Sequence, residues 1–305
     1  GGTITSNGST SRSLYNAVSF SGNGTFGDGT NAGALTFTNT VGLGSATRTL
    51  TINADTTFSG VISSGGISKS GSGTLTLSGA NTYASGTTIS AGTLKIGSAT
   101  ALGASAGAVS ITSGAVLDLN GQTMTNTNAL TLNGTGISSG GALINSSSTT
   151  ATYAGLITLG SASSIVGGTG LITISHTGTI TGSGYGLTLG GAQGGSIASI
   201  IGTGSGTVTK EGAGTWTLTG VNTYTGNTTI SAGTFKLDGA GQLGSGNYSG
   251  SISNSGVLIY SSSADQILAG TVSGTGALTK DTSSSSTLTL SDANTYSGDT
   301  TISTG

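Results

Sequence analysis

The stretch SGANTYASGTTISAGTLKI, from Ser78 to Ile96, returns as TGVNTYTGNTTISAGTFKL from Thr219 to Leu237. A third copy, SDANTYSGDTTISTG, runs from Ser291 to Gly305. Internal repetition outranks local signals, because one recurring unit names the architecture before any single element does. Between and within the copies a shorter element recurs, a Gly or Ser followed by alternating polar and apolar residues. Examples are GALTF (Gly33 to Phe37), GTLTL (Gly73 to Leu77), GTLKI (Gly92 to Ile96), GAVLDL (Gly114 to Leu119), GTWTL (Gly214 to Leu218), GTFKL (Gly233 to Leu237), GVLIY (Gly256 to Tyr260) and GALTK (Gly276 to Lys280). From Gly73 to Gly92 the interval is 19 residues, and from Gly92 to Gly114 it is 22. The second series, from Gly214 to Gly276, steps by 19, 23 and 20.

Alternation over four or five residues marks a strand with one buried face. In GTLTL, Leu75 and Leu77 point in while Thr74 and Thr76 point out. A strand returning about every twenty residues cannot bury its apolar face alone; stacking successive turns in parallel buries it continuously. This predicts an all-β parallel β-helix. Roughly fourteen coils, spaced at about 4.8 Å, would make a rod about 65 Å long. A sandwich or barrel would want hairpin turns between adjacent strands, and the Asn-Gly pairs at Asn7, Asn23, Asn120 and Asn133 do not lie between the repeated ones. A propeller needs four strands per forty-residue period, and no such blade motif recurs.

Composition agrees. Of 305 residues 59 are Gly, none is Pro or Cys, and one is His. Collagen would need Gly at every third position with abundant Pro, and disorder would need high charge with few β-branched residues. No window carries an uninterrupted helical pattern, and no apolar run is long enough to span a bilayer. There is no starting Met, basic-then-apolar leader or lipidation motif, which is how a mature secreted fragment looks. Seven basic and nine acidic residues leave a formal charge of -2. Arg12, Arg48, Lys69, Lys95, Lys210, Lys236 and Lys280 are scattered, so no basic patch for nucleic acid is expected.

Differences between the copies are informative. Leu75 becomes Trp216 and then Leu288, and Leu94 becomes Phe235; all would face inward, so interior volume varies while polarity is kept. Asn81, Asn222 and Asn294 are each followed two residues later by Tyr83, Tyr224 and Tyr296. An Asn at a corner bonds backbone groups the bend leaves unpaired and tolerates left-handed dihedrals. Each is therefore expected at a coil corner, with its Tyr covering the adjoining coil.

The blocks ISKSGSGTLTLSGANTYASGTTISAGTLKI (67–96) and VTKEGAGTWTLTGVNTYTGNTTISAGTFKL (208–237) closely resemble the autotransporter-associated β-strand repeat, also called the passenger-associated transport repeat. A third block, 278–305, matches with two extra residues between Lys280 and Asn294. The resemblance implies a right-handed parallel β-helix, the passenger of a type V secreted bacterial surface protein, exported through an outer-membrane β-barrel translocator. That barrel is not in this chain. The absence of Cys fits threading through a pore.

After TTIS the third copy gives Ser303, Thr304 and Gly305 instead of AGTLKI, and joining TTISTG to the opening GGTITS nearly restores the strand. Residues 1–305 are thus expected to be one continuous β-helix segment, a slice of a longer protein, with head-to-tail stacking into a fibre as a hypothesis.

Chemistry is hard to find. Gly22, Gly24 and Gly27 have dinucleotide-binding spacing, but no helix can follow. His176 has no acid near it in sequence. Asp28, Asp55, Asp118, Glu211, Asp238 and Asp265 are isolated, whereas glycan cleavage needs paired carboxylates. Asp281, Asp292 and Asp299 are the densest acids; solvated carboxylates are favoured over a weak calcium site. Outward pairs Thr74/Thr76 and Thr215/Thr217 recur too irregularly for an ice-binding plane. The expectation is a non-enzymatic structural protein of the bacterial outer surface without cofactors, a rod or fibre segment. The alternative is an adhesin for surface glycans, which lined-up exposed aromatics would favour.

Overall fold

The computed structural model describes residues 1–281 and 285–303. The end of the third copy, Thr304 and Gly305, and residues 282–284 lie outside the described residues. The chain is an all-β parallel solenoid of about 14 turns. It falls into two compact units, Gly1–Leu156 and Ile157–Gly305. Among the described residues the only helical pieces are 3-10 turns at Ile137–Ser139 and Gly244–Gly246, and no helix is long and apolar enough to cross a membrane.

In the first unit a turn is built from two strands and a shorter third, for example Thr47–Ile52, Thr56–Phe58 and Ile62–Ser63. The next turn begins at Gly66–Ser70 and Thr74–Leu77. Register follows the sequence periods. Leu75 pairs with Leu94, and Leu94 with Leu117, all in parallel. One interval differs from the sequence count. Thr93 pairs with Val116, so GAVLDL holds one residue more than GTLKI before its strand. Gly114, at φ 85, opens the wider turn that takes it up. The interior of this unit opens with an aromatic cluster: Phe26, Phe37 and Phe58 are fully buried, with ring centroids 5.0 to 5.7 Å apart.

The second unit repeats the scheme. Trp216 pairs with Phe235, Phe235 with Leu258 and Leu258 with Leu278 along one inward file. The larger Trp216 fits for a local reason. Its register partner on the preceding turn is Gly195, and a Cβ there would sit 3.0 Å from the indole Cη2. The indole N–H donates to the Gly190 carbonyl at 3.0 Å, so the buried ring leaves no polar atom unpaired. Leu288 also stacks on this kind of inward file, over Gln266, but is only half-buried.

Substituting Phe37→Ala removes the ring shared by the cluster. The expected loss is about 3–5 kcal/mol, read from urea unfolding followed by tryptophan-independent far-UV circular dichroism.

Candidate functional site

The two described full copies of the repeat place the same side chains in the same contacts, and those contacts tie one turn to its neighbours. Each Asn stands beside a short strand of the preceding turn, Ile62–Ser63, Ile200–Gly202 or Val272–Ser273. Asn81 Oδ1 accepts the Ile62 N–H at 2.8 Å, while the Thr82 N–H donates to the Ile62 carbonyl. The side chain thus supplies the carbonyl that a continued third strand would have offered. Asn222 does the same for Ile201 at 2.9 Å, and Asn294 for Val272 at 2.7 Å. On the other side, Asn81 Nδ2 donates to Ala101 O at 2.7 Å and Asn222 Nδ2 to Gln242 O at 2.9 Å. One amide thereby bridges three turns. None of these three Asn has the left-handed backbone the sequence allowed for; among the described residues the Asn with positive φ is Asn120.

The tyrosines go inside. Instead of covering the adjoining coil, Tyr83 and Tyr224 are wholly buried, because a Thr hydroxyl four residues on receives their polar end. Tyr83 pairs with Thr87 at 2.7 Å and Tyr224 with Thr228 at 2.8 Å; Tyr296, half-buried, pairs with Thr300 at 2.7 Å. Thr228 also meets Tyr248 of the next turn at 2.8 Å. Burial pushes the Tyr83, Tyr153 and Tyr224 phenols well above their ordinary value and Tyr248 up to about 12.

A third constant group was missed as a scattered base. Lys69 and Lys210 occupy equivalent places in ISK and VTK, and both are fully buried. Lys69 Nζ donates to the carbonyls of Ser70 (3.3 Å) and Gly71 (2.6 Å) on its own turn and Ala91 (2.7 Å) on the next. Lys210 Nζ donates to Glu211 (3.0 Å), Gly212 (2.7 Å) and Ala232 (2.9 Å). Their pKa is lowered to about 8, chiefly by burial, against the pull of Asp55 and Glu211 respectively. The third-copy Lys280 is also buried, 5.8 Å from the Tyr260 ring centroid.

The other candidates stay apart. His176 Nδ1 accepts the Gly178 N–H at 2.8 Å in a local turn. Among the described residues no three His, Cys, Asp or Glu side chains converge as a metal site, Asp281, Asp292 and Asp299 included. Asp292 instead accepts from Thr271 Oγ1 at 2.6 Å and the Ala293 N–H at 2.8 Å, which lowers its pKa. Gly24 lies in the strand Gly24–Phe26, with Gly22 and Gly27 flanking it, and no helix follows. Asp118, expected to be an isolated acid, is buried; it accepts from the Ser146 N–H and hydroxyl and faces Lys95 at 3.9 Å. It shares a shallow groove with Asp55, Lys95 and the outward Thr74 and Thr76.

The family model described as passenger-associated-transport-repeat matches residues 67–96, 208–237 and 283–305. The chain carries passenger-associated transport repeats. The third match begins after Lys280, later than the block at 278–305 that the sequence suggested. Asn81, Asn222 and Asn294, with their tyrosines, all fall inside the matched segments, as do Lys69 and Lys210. These repeats and the solenoid fit an autotransporter passenger domain, a family whose members imply secretion to the bacterial surface. No curated protein and no solved structure matches the chain.

Asn81→Ala strands the Ile62 N–H in the interior and leaves the Ala101 carbonyl only the longer Tyr83 hydroxyl contact at 3.4 Å. The expected cost is about 1–3 kcal/mol for the stranded group, measurable as a lower urea midpoint. The titrating groups give a second expectation. Between about 8 and 10.5 the unfolded chain holds lysine protons that the folded repeats have released, so stability rises with pH. Above about 10 unfolded tyrosines ionise while the buried ones do not, so stability falls. The urea midpoint is therefore expected to be higher at about pH 9.5 than at about pH 7 or pH 12.

Proposed function

We propose that the chain is a non-enzymatic structural segment of a bacterial surface passenger, whose work is mechanical reach. The observation that carries this is the use of the repeat's constant side chains. Lys69, Asn81 and Tyr83, like Lys210, Asn222 and Tyr224, are buried and bonded to the chain's own turns. None of them is left for a ligand.

The outward surface supports the same view. Single files of hydroxyls climb it, Thr49, Ser68, Thr88, Ser110 and Thr131 in one unit. In the other unit the file is Thr188, Thr209, Thr229, Ser253 and Ser273. The columns through Thr74 and Thr76 break within a few turns, at Val116 and at Lys95. Of the exposed aromatics, Tyr15 and Tyr185 lie in different units and make no row within either. The two carboxylates that share a groove, Asp55 and Asp118, are three strand spacings apart. That is about 14 Å, beyond the separation at which paired acids hydrolyse a glycoside. Export through an outer-membrane β-barrel translocator and head-to-tail stacking of copies belong to this proposal. A parallel ladder accepts another turn without changing its geometry.

Single-molecule pulling on the chain displayed by its ends tests it. Stepwise extension at high force, with no specific binding to a glycan array, is expected. Saturable glycan binding abolished by Lys95→Ala would overturn the structural role in favour of an adhesin. Sedimentation at increasing concentration tests stacking, with a mass that stays monomeric counting against it.

A further inference from the structure

The apolar interior alone does not say which residue of one turn sits over which residue of the next. In the first unit Leu50, Lys69, Ile89 and Ile111 form one inward file; in the second it is Leu189, Lys210, Ile230 and Asn254. Side chains alternate with a period of two, so sliding a turn by two residues keeps apolar groups inward. Short Gly-, Ser- and Thr-rich strands resist such a slip weakly. A buried polar group with fixed partners is the known device for choosing among registers that hydrophobic packing treats alike, often at some loss of stability.

We propose that each complete repeat contains an ammonium-binding site whose ligand is the chain's own lysine, and that its closure sets the register between the repeat's two turns. The three donors of a lysine ammonium meet three carbonyls, two on its own turn and one on the next. Both described cages have this composition, with Lys210 meeting Glu211, Gly212 and Ala232. The cage is tight. Gly92 and Gly233, both at φ 64, follow the acceptors Ala91 and Ala232. A Cβ on Gly92 would lie 2.5 Å from both Lys69 Nζ and the Gly71 carbonyl oxygen. One on Gly233 would lie 2.7 Å from Lys210 Nζ and 2.5 Å from the Gly212 carbonyl oxygen, so ammonium and backbone together exclude a side chain there. The Lys and the Ala-Gly of SAGT, some twenty residues apart, are therefore two halves of one site. A two-residue slip would carry the Ala91 carbonyl about 6.6 Å along the strand, out of reach of Nζ. Lys95 and Lys236, which sit on outward positions of the same repeats, have no such cage and are part-exposed.

The absence of native Cys makes register directly readable by cross-linking. Ser68 and Thr88 are outward register partners on the two turns. In the full chain, Ser68→Cys with Thr88→Cys is expected to oxidise to a disulfide at least about tenfold faster than Ser68→Cys with Ser90→Cys, the selectivity that one charged hydrogen bond supplies. Adding Lys69→Met, which keeps the apolar stem, is expected to bring the two rates together. Retained selectivity in the Met background would overturn the proposal. Should that variant not fold, the unaltered protein gives the answer through amine acylation followed by mass spectrometry. Lys95 and Lys236 are expected to react at least about tenfold faster than Lys69 and Lys210. Equal rates for all four would mean that the cages stand open, which also overturns it.

Discussion

Everything in this chain depends on the backbone of one turn finding its hydrogen-bond partners on the turns before and after it. A parallel ladder has no hairpin to fix where pairing starts, and its strands here are mostly three or four residues long. Where the ladder runs straight, main-chain groups serve each other. Where it bends, they must be served by something else or remain buried and unpaired. The repeat's Asn stands at such a bend as a spare carbonyl, and its Lys, placed in the adjoining strand, reaches the turn carbonyls with a spare set of donors. The Tyr is wholly buried and pairs its hydroxyl with a Thr four residues on.

The two polar devices differ in kind. An Asn amide is neutral and completes a pattern the backbone already started, so its burial costs little once its donors and acceptor are engaged. A lysine among Leu and Ile is charged, and its lowered pKa records the strain of keeping that charge from water. Such a group persists in a core when it contributes something that packing does not. Here the three carbonyls it gathers come from two different turns.

The architecture was legible because two signals with different periods agreed: alternation within strands and a return near every twenty residues between them. The Asn corner was legible too, from the repeated text around Asn81 and Asn222. The lysines were not, although the means existed. In ISKS the alternation that turns Ile67 inward also turns Lys69 inward, and the same holds for Val208 and Lys210. Counting bases for a surface patch hid that inference. Other features needed register, which one chain does not display. Trp216 fits because Gly195 lies on the preceding turn, and Asp118 is covered because the segment at Ser146 folds back over it.

The reach of these bonds has a consequence for how such chains grow. The Lys and Tyr–Thr bonds close within a block of some thirty residues, while its Asn reaches out to the coil before and the coil after, Ile62 and Ala101 in one case and Ile201 and Gln242 in the other. Duplicated or recombined into a new place, such a block needs only a neighbouring coil on either side to dock against. That favours lengthening by copying whole cassettes, with the sequence between them left free to drift.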